Sequence, residues 1–533
     1  MKLLTQTRFR LASIIAVIVV VGVNILFANK KQGFYIDEYY VYTVANGTQY
    51  GIDITPGEWN DTSDYYHQLV SEGVENFRFR QVYENESANV HPPLYYYLIH
   101  FVSSLFPGVF SKWIGLSLNL AILIPTLIIV YKLAWEFSGQ NKVVTLITVV
   151  FFGINPATIS MVVLTRMYLL LSLWTLAYAY IHVINIKRER LSISHFLVPV
   201  FATGFLGFLT QYFFVVVMFF ITLTYALFLT FFRRHIKAAI AYGFTALFSL
   251  ISTYLVWPFS YFHIFKGYRG QGAMSQARDV AGMYTRIFKH LQYLNRIVFS
   301  GTIIIFIPLL VVGVILVLRR LLRVKNIEKK NVGVEISECT TGYILIIVSA
   351  LLSFFALAIV ALSDGVESCR QLYHVYALFL VLIPAGIYRI AVRFTGNRII
   401  GSAVITAITV SVVVLLGYIH GSVLFLYEDE KIAMDYARNH TDEKVVMFQK
   451  DDGNYDSRIQ ELILHPQVYY VSVGDLTTAI DPVIASADEL FVYVPTGVDE
   501  DECFDCIYKQ NPKIKRAKHM WNYYAFFKAY HLQ

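Results

Sequence analysis

Eleven apolar runs, each close to the length of a bilayer-crossing helix, set what this chain can fold into: about 11–28, 113–132, 143–161, 167–186, 195–211, 213–232, 236–257, 298–318, 342–362, 371–390 and 399–420. A helix needs roughly 20 residues to cross a hydrocarbon core about 30 Å thick. In lipid, backbone polar groups must be satisfied inside the protein, so continuous apolar runs of this kind cross as helices. The 533 residues are 56% hydrophobic and only 15% charged, where a soluble domain carries about 25% charged residues. A polytopic α-helical membrane protein is therefore expected. No small-residue cleavage site follows Leu11 to Phe27, so this run reads as a retained first helix and not as a cleaved signal peptide.

The charges orient the runs. With Lys2, Arg8 and Arg10 inside, the loops Lys132 to Lys142, Lys187 to Arg190, Arg233 to Lys237, Arg319 to Lys330 and Arg389 to Arg398 all fall on that same side. This is the positive-inside pattern, and it supports about eleven spans. The net charge of +7 then serves topology and predicts no nucleic-acid partner. The stretch 92–106 is apolar but short, with Pro92, Pro93 and several tyrosines. It reads as a re-entrant or interfacial helix, because a full crossing would turn every later basic loop outward. The outer face then holds a first loop at 29–112, with juxtamembrane helices, a turn at Asn155 to Arg166, a loop at 258–297, a turn at Ser363 to Arg370 and everything after about 421.

Composition changes in the tail, where Asp and Glu become frequent. Apolar runs at Lys444 to Phe448, Val468 to Val473, Glu489 to Val494 and Tyr523 to Phe527 read as strands, and Asp456 to Leu464 as a helix between two of them. The organisation expected is a membrane domain at 1–425, including the first extracytoplasmic loop at 29–112, and a small extracytoplasmic α/β domain at 426–533. The tail has no Gly-rich phosphate loop, so it is not read as nucleotide-binding.

Several residues at membrane edges carry chemistry. Asp37 and Glu38 form an acidic pair just beyond the first span; carboxylates beside hydrocarbon are costly, and a carboxylate there can serve as a general base. The plainer alternative is an acidic first turn of a juxtamembrane helix. His91 precedes Pro92-Pro93, a rigid elbow that starts a helix and aims the imidazole. Arg166 and Arg370 stand at the outer starts of two spans, and the planar guanidinium fork suits a phosphate; snorkelling arginines are the alternative. Lys266 and Arg269 add cations in the 258–297 loop. Gln211 and Tyr212, at an outer helix junction, are candidate contacts for a sugar or head group, or members of an interfacial aromatic belt. The lone pair Cys503 and Cys506 lacks a second pair or a nearby His, so it is not a zinc pattern; a local disulfide and free thiols both remain open.

The order of motifs is informative. A first span, then Asp37-Glu38-Tyr39-Tyr40, then His91-Pro92-Pro93-Leu94-Tyr95-Tyr96, then Arg166-Met167-Tyr168, then Tyr212-Phe213 after Thr210, then Arg370 with Leu372-Tyr373, resembles the glycosyltransferase C superfamily. The likeness is to the dolichyl-phosphate-mannose protein mannosyltransferases (glycosyltransferase family 39) and the lipid A aminoarabinose transferases, over about residues 1–400. The resemblance implies transfer of a sugar from a polyprenyl-phosphate carrier to an extracytoplasmic acceptor, in a multi-pass protein of the cell membrane. It places Asp37 at the reaction centre with Glu38 in support, His91, Tyr95 and Tyr168 in the substrate cavity, and Arg166 and Arg370 at the carrier phosphate. Relatives often carry an acidic residue two positions before this arginine; here Leu164 stands there. A divalent metal is consequently not favoured, since the second ligand turn is missing, and no cofactor is expected.

A transporter or flippase for a lipid-linked sugar is the alternative. It would be expected to carry polar groups or broken helices near the midplane. The charges here lie at span ends, which favours the enzyme. A membrane scaffold would leave Asp37 and Arg166 without a role.

Overall fold

The computed structural model describes residues 6–49, 54–188, 191–307, 338–396, 398–450, 458–476, 480–523 and 526–533. In chain order it begins with α1 (Gln6–Lys30), α2 (Ile36–Asn46), β1 (Trp59–Asp61), α3 (Thr62–Leu69), α4 (Phe79–Ala88) and α5 (Leu94–Leu105). There follow α6 (Lys112–Phe137), α7 (Lys142–Ile154), α8 (Pro156–Val163), α9 (Tyr168–Asn185), α10 (Val198–Thr210), α11 (Phe214–Leu227) and α12 (Ile236–Val256). Then come α13 (Phe259–Phe265), α14 (Tyr268–Arg278), α15 (Val280–Ile297), α16 (Glu338–Val360), α17 (Tyr373–Phe394) and α18 (Ile399–Ile419). The last part holds α19 (Glu430–Asn439), β2 (Val445–Gln449), α20 (Ile459–Leu462), β3 (Gln467–Ser472), α21 (Pro482–Ala485), β4 (Leu490–Pro495), α22 (Glu500–Gln510), β5 (Ala517–Tyr523) and β6 (Phe527–Leu532).

These elements group into two compact units. The first comprises Met1–Ala28, Asn89–Tyr95 and Leu116–Leu424; the second comprises Asn29–Ala88, Tyr96–Gly115 and Phe425–Gln533.

The first unit is helical. Among the described residues, nine helical stretches are long and apolar enough to cross a bilayer, and the bent pair α7–α8 makes a tenth. The expected span at 143–161 is not one straight helix. It breaks by 49° between Ile154 and Pro156, because proline disfavours helical backbone in the residue before it and cannot donate back into the preceding turn. Asn155 makes the break a cap: its side-chain oxygen accepts from Ala157 N at 3.0 Å and its amide donates to Val298 O at 3.2 Å. Of the expected span at 298–318, residues 308–318 lie outside the described residues, as does the basic loop Arg319 to Lys330. The short run at 92–106 forms the 12-residue helix α5.

Large apolar side chains are exposed along α1 (Ile14, Ile18, Leu26), α12 (Phe244, Leu247, Leu255) and α18 (Ile408, Leu415). Such faces would associate in water and suit contact with lipid. Some polar groups inside the helical unit are bonded to one another. His182 Nε2 meets the Tyr242 hydroxyl at 2.6 Å, and Asn185 donates to Tyr225 at 2.7 Å. Helix α1 approaches α7 closely: Asn24 Nδ2 donates to Gly153 O at 2.9 Å, and a Cβ at Gly153 would lie 2.2 Å from a Val20 methyl.

The second unit contains a six-stranded sheet of order β1-β3-β2-β4-β6-β5. Strand β2 is parallel to β3 and β4, while β1, β6 and β5 pair antiparallel with their neighbours. Strand residues alternate between two cores. Val446, Phe448, Val471, Val492 and Val494 pack on one face with Ile484, Cys503, Phe504 and Ile507. Val445, Met447, Tyr470, Phe491 and Tyr493 pack on the other with Tyr65, Ala433 and Leu462. Burial on both faces explains why β2, β3 and β4 read as continuous apolar runs without alternation.

Three tail expectations match β2, β3 and β4. The expected strand Tyr523 to Phe527 instead straddles the end of β5 and the start of β6, where Tyr523 pairs with Phe527. The expected helix Asp456 to Leu464 appears as α20, with residues 456 and 457 outside the described residues. Strand β1 was not anticipated. It comes from the loop grouped above with the membrane helices, and it pairs Trp59 with Tyr469.

His465 closes the turn after α20 and is 1% exposed. Burial lowers its imidazole from 6.5 to about 4. The unfolded chain therefore takes up this proton first, and stability present above pH 6.5 is lost as pH falls through that window. The expected loss is about 3 kcal/mol by pH 4. Amide protection factors of β2 and β3 in the intact protein, corrected for the intrinsic pH dependence of exchange, should fall between pH 6.5 and 4, and His465→Gln should flatten that dependence.

Candidate functional site

In the first unit, the link between α8 and α9 carries Thr165, Arg166 and Met167. Leu164 ends α8 and is fully buried. Asn119, on α6, shapes this link. Its amide donates to Val162 O at 3.0 Å and Leu164 O at 2.8 Å, and its oxygen accepts from the Tyr95 hydroxyl at 3.0 Å. Arg166, 3% exposed, projects from the link so held. Its Nη2 donates to His91 Nε2 at 2.9 Å. Pro92 and Pro93 are buried at the elbow that presents His91.

Arg370 lies on a short 3₁₀ helix, Val366–Leu372, directly before α17. It is 6% exposed and donates to Glu367 O at 3.0 Å. The starts of α9 and α17 meet through Tyr168 and Tyr373, whose rings are edge-on at 6.1 Å. The structure thus joins His91 to Arg166 and Tyr95 to the Arg166 link, and brings the Arg370 turn alongside. Buried guanidinium groups at helix starts, where backbone N–H groups also point outward, suit a phosphate.

Gln211 caps α10 and accepts from Tyr212 N at 2.6 Å. The Tyr212 hydroxyl accepts from Trp257 Nε1 at 3.0 Å and meets His263 Nδ1 at 2.9 Å. Lys266 and Arg269 are exposed, Lys266 at the end of α13 and Arg269 over the ring of Tyr268 at 5.1 Å.

The acidic pair belongs to the second unit, and its two members differ. Both sit in the first turn of α2, where carboxylates oppose the positive helix end. Glu38 is completely buried. Its Oε2 accepts from Lys31 Nζ at 2.9 Å and from Tyr35 N at 2.7 Å, so it closes the helix start. Asp37 is half-buried. A carboxylate at a fixed helix start with partial access to solvent is suited to taking a proton from a substrate; Glu38 is suited to holding that start in place.

A second buried charge group lies nearby in the same unit. Arg458 donates to Glu430 Oε1 at 3.3 Å and Glu461 Oε1 at 3.4 Å. Burial raises the Glu430 carboxyl above its usual range, and Arg458 opposes the shift. Tyr39, fully buried and raised well above an ordinary phenol by that burial, stays protonated and donates to Gln460 at 3.4 Å.

Among the described residues, Glu443, Glu489 and His531 have ligand atoms close enough to share a cation. His531 Nε2 lies 3.8 and 3.4 Å from the two carboxylates, which is also the geometry of an ordinary ion pair. Cys503 and Cys506 are free, buried thiols on α22. Burial pushes Cys503 up to about 12, which removes thiolate reactivity.

No family model and no curated protein matches the sequence. Among solved structures, ArnT from Cupriavidus metallidurans bound to undecaprenyl phosphate aligns with a TM-score of 0.50 at 8% identity, covering 97% of this chain and 97% of that one. The same protein in its apo state gives 0.41 at 10% identity, covering 92% and 95%. The Archaeoglobus fulgidus oligosaccharyltransferase, in complex with Zn and sulfate, gives 0.42 at 11% identity, covering 94% and 67%. At 8% identity the first likeness is one of fold. The overall fold of this chain is thus similar to that of ArnT.

Asn119, Lys31 and the Arg458 group escaped sequence reasoning. An asparagine inside an apolar span is itself a signal, because an amide in hydrocarbon is costly unless bonded. Lys31 reads as ordinary flanking charge, and Arg458 stands in no local motif.

Proposed function

We propose that this protein is a membrane glycosyltransferase that moves a sugar from a polyprenyl-phosphate donor to an extracytoplasmic acceptor. The observation that carries the reading is the buried Arg166–His91 pair in a helical unit built of apolar spans, with a second buried guanidinium, Arg370, just before the start of α17. The solved structure of the same fold was obtained with undecaprenyl phosphate bound. A donor with a long hydrocarbon tail and a phosphate requires both an apolar unit and a cation.

In this reading an acceptor hydroxyl or amine attacks the anomeric carbon. The new glycosidic bond forms as the bond to the carrier phosphate breaks, and the polyprenyl phosphate leaves with the electron pair. Arg166 and Arg370 stabilise the negative charge of that leaving group. Asp37 takes the acceptor proton. The second unit, with its α/β sheet, is extracytoplasmic, and the amino terminus is cytoplasmic.

The test is binding of undecaprenyl phosphate to purified protein by native mass spectrometry. Arg166→Ala should weaken binding by about tenfold or more, the cost of losing a charge-assisted bidentate contact. Equal binding by wild type and variant would remove Arg166 from the donor site.

A further inference from the structure

The segment that carries Asp37 is tied to residues hundreds of positions later in the chain, all within the second unit. Gln32 N donates to Leu426 O at 2.8 Å, and Lys31 Nζ donates to Phe425 O at 2.9 Å. Gln460 Nε2 donates to Gln32 O at 3.1 Å, while the Gln460 oxygen accepts from Tyr39. Between these ties the Glu430 carboxylate lies flat on Gly33: a Cβ there would sit 1.9 Å from Glu430 Oε2 and 2.9 Å from the Tyr427 Cβ. Arg458 fixes that carboxylate from its other side.

The partner segment is itself strained. Phe425 and Tyr427 have φ of 68° and 49°. The left-handed region is unfavourable for aromatic residues and costs about 1–3 kcal/mol at each position. The strain aims the carbonyls of Phe425 and Leu426 at Lys31 and Gln32. Strain of this kind persists where surrounding contacts over-determine it, and it concentrates where positioning matters.

We infer that Glu430 and Arg458 are positioning residues for the helix start that bears Asp37. The inference rests on the catalytic reading of Asp37 given above. Glu430, held by Arg458, seats Gly33, and the strap from Lys31 to Tyr35 enters α2 at the angle this contact sets. The strap and the Arg458 group also share buried charge: Lys31 and Arg458 stand among Glu38, Glu430 and Glu461. A group of three carboxylates and two cations tolerates little displacement, because moving one member uncovers another in a dry interior. The sequence around Asp37 shows none of this, since the seat is supplied from beyond residue 424.

Gly33→Ala tests the seat. The φ of Gly33 is not in the left-handed region, so the cost of the methyl is steric: a clash with the Glu430 carboxylate first and a closer approach to the Tyr427 Cβ second. The expected result is a kcat lower by about 10- to 100-fold, the penalty of a displacement near 1 Å at a reacting group. KM for the polyprenyl-phosphate donor should stay within about twofold. Shortening the partner in Gly33→Ala/Glu430→Asp keeps the carboxylate and opens room for the methyl. That double variant should recover kcat to within about threefold of wild type. A merely structural contact would leave kcat of the folded Gly33→Ala protein near wild type, with no loss for the double variant to rescue. Asp37→Asn is measured alongside. Full transfer by Asp37→Asn overturns the catalytic reading and the positioning role with it. Loss of transfer in Asp37→Asn together with wild-type kcat in Gly33→Ala, or a double variant no better than Gly33→Ala, overturns the positioning role alone.

Discussion

Asp37→Asn should lower sugar transfer by about 10²- to 10⁴-fold while leaving the protein folded. The first figure is what a positioned general base contributes to a transfer step. The second expectation follows from where Asp37 sits. It is half-buried in the first turn of α2, and the ion pair and backbone bond that close this turn belong to Glu38. Asparagine has nearly the same shape and keeps hydrogen-bonding capacity at this position; the favourable helix-end charge is one contribution it gives up, about 0.3–1 kcal/mol. Activity and stability therefore separate at this residue. Transfer kinetics and a thermal melt on the same preparation check both halves. A variant that loses transfer only because it unfolds would show a melting shift far above that range.

Lys31→Met should have the opposite profile, a large loss of stability. Lys31 and Glu38 are both fully buried, with Nζ and Oε2 2.9 Å apart. The ammonium also donates to Phe425 O and lies 5.6 Å from the Phe34 ring and 5.5 Å from the Tyr427 ring. Removing one partner leaves the Glu38 carboxylate in a dry site without its ammonium, a change that costs about 3–5 kcal/mol. Replacing the pair together is milder, because the desolvation cost of both charges disappears. Lys31→Met/Glu38→Leu should therefore be more stable than Lys31→Met alone. Chemical denaturation of the three proteins in one detergent measures the difference. A Lys31→Met protein as stable as wild type would show that this pair does not hold the start of α2.

The helices were legible because lipid imposes one rule: an apolar run near 20 residues crosses as a helix. The exception was instructive. The run at 143–161 passes every hydropathy test, yet Pro156 breaks it, and the asparagine before the proline marks the break as a cap. Strands β2, β3 and β4 were legible as apolar runs of strand length. The short edge strand β1 was not, since three residues, Trp59–Asp61, carry no periodicity and pair only because β3 offers an edge. The run Tyr523 to Phe527 misled because its ends belong to two paired strands, Tyr523 to β5 and Phe527 to β6, and pairing, not composition, decides the boundary.

At the candidate site, residue types were readable and their partners were not. Arg166 and His91 were each singled out by position at a membrane edge, but their contact spans 75 residues of sequence. The acidic pair looked uniform. Only packing separates Glu38, consumed in closing a helix, from Asp37, which keeps access to solvent. Glu430 and Arg458 have no local signature at all, because their meaning comes from the distant glycine they seat.

The central claim is tested most directly by incubating purified protein in detergent with radiolabelled polyprenyl-phosphate sugars and an acceptor extract from the same cell envelope. The account predicts label in the acceptor fraction with wild type and almost none with Asp37→Asn. It is contradicted if wild type forms no product in detergent yet moves the same labelled donor across the bilayer of reconstituted vesicles, the behaviour of a flippase.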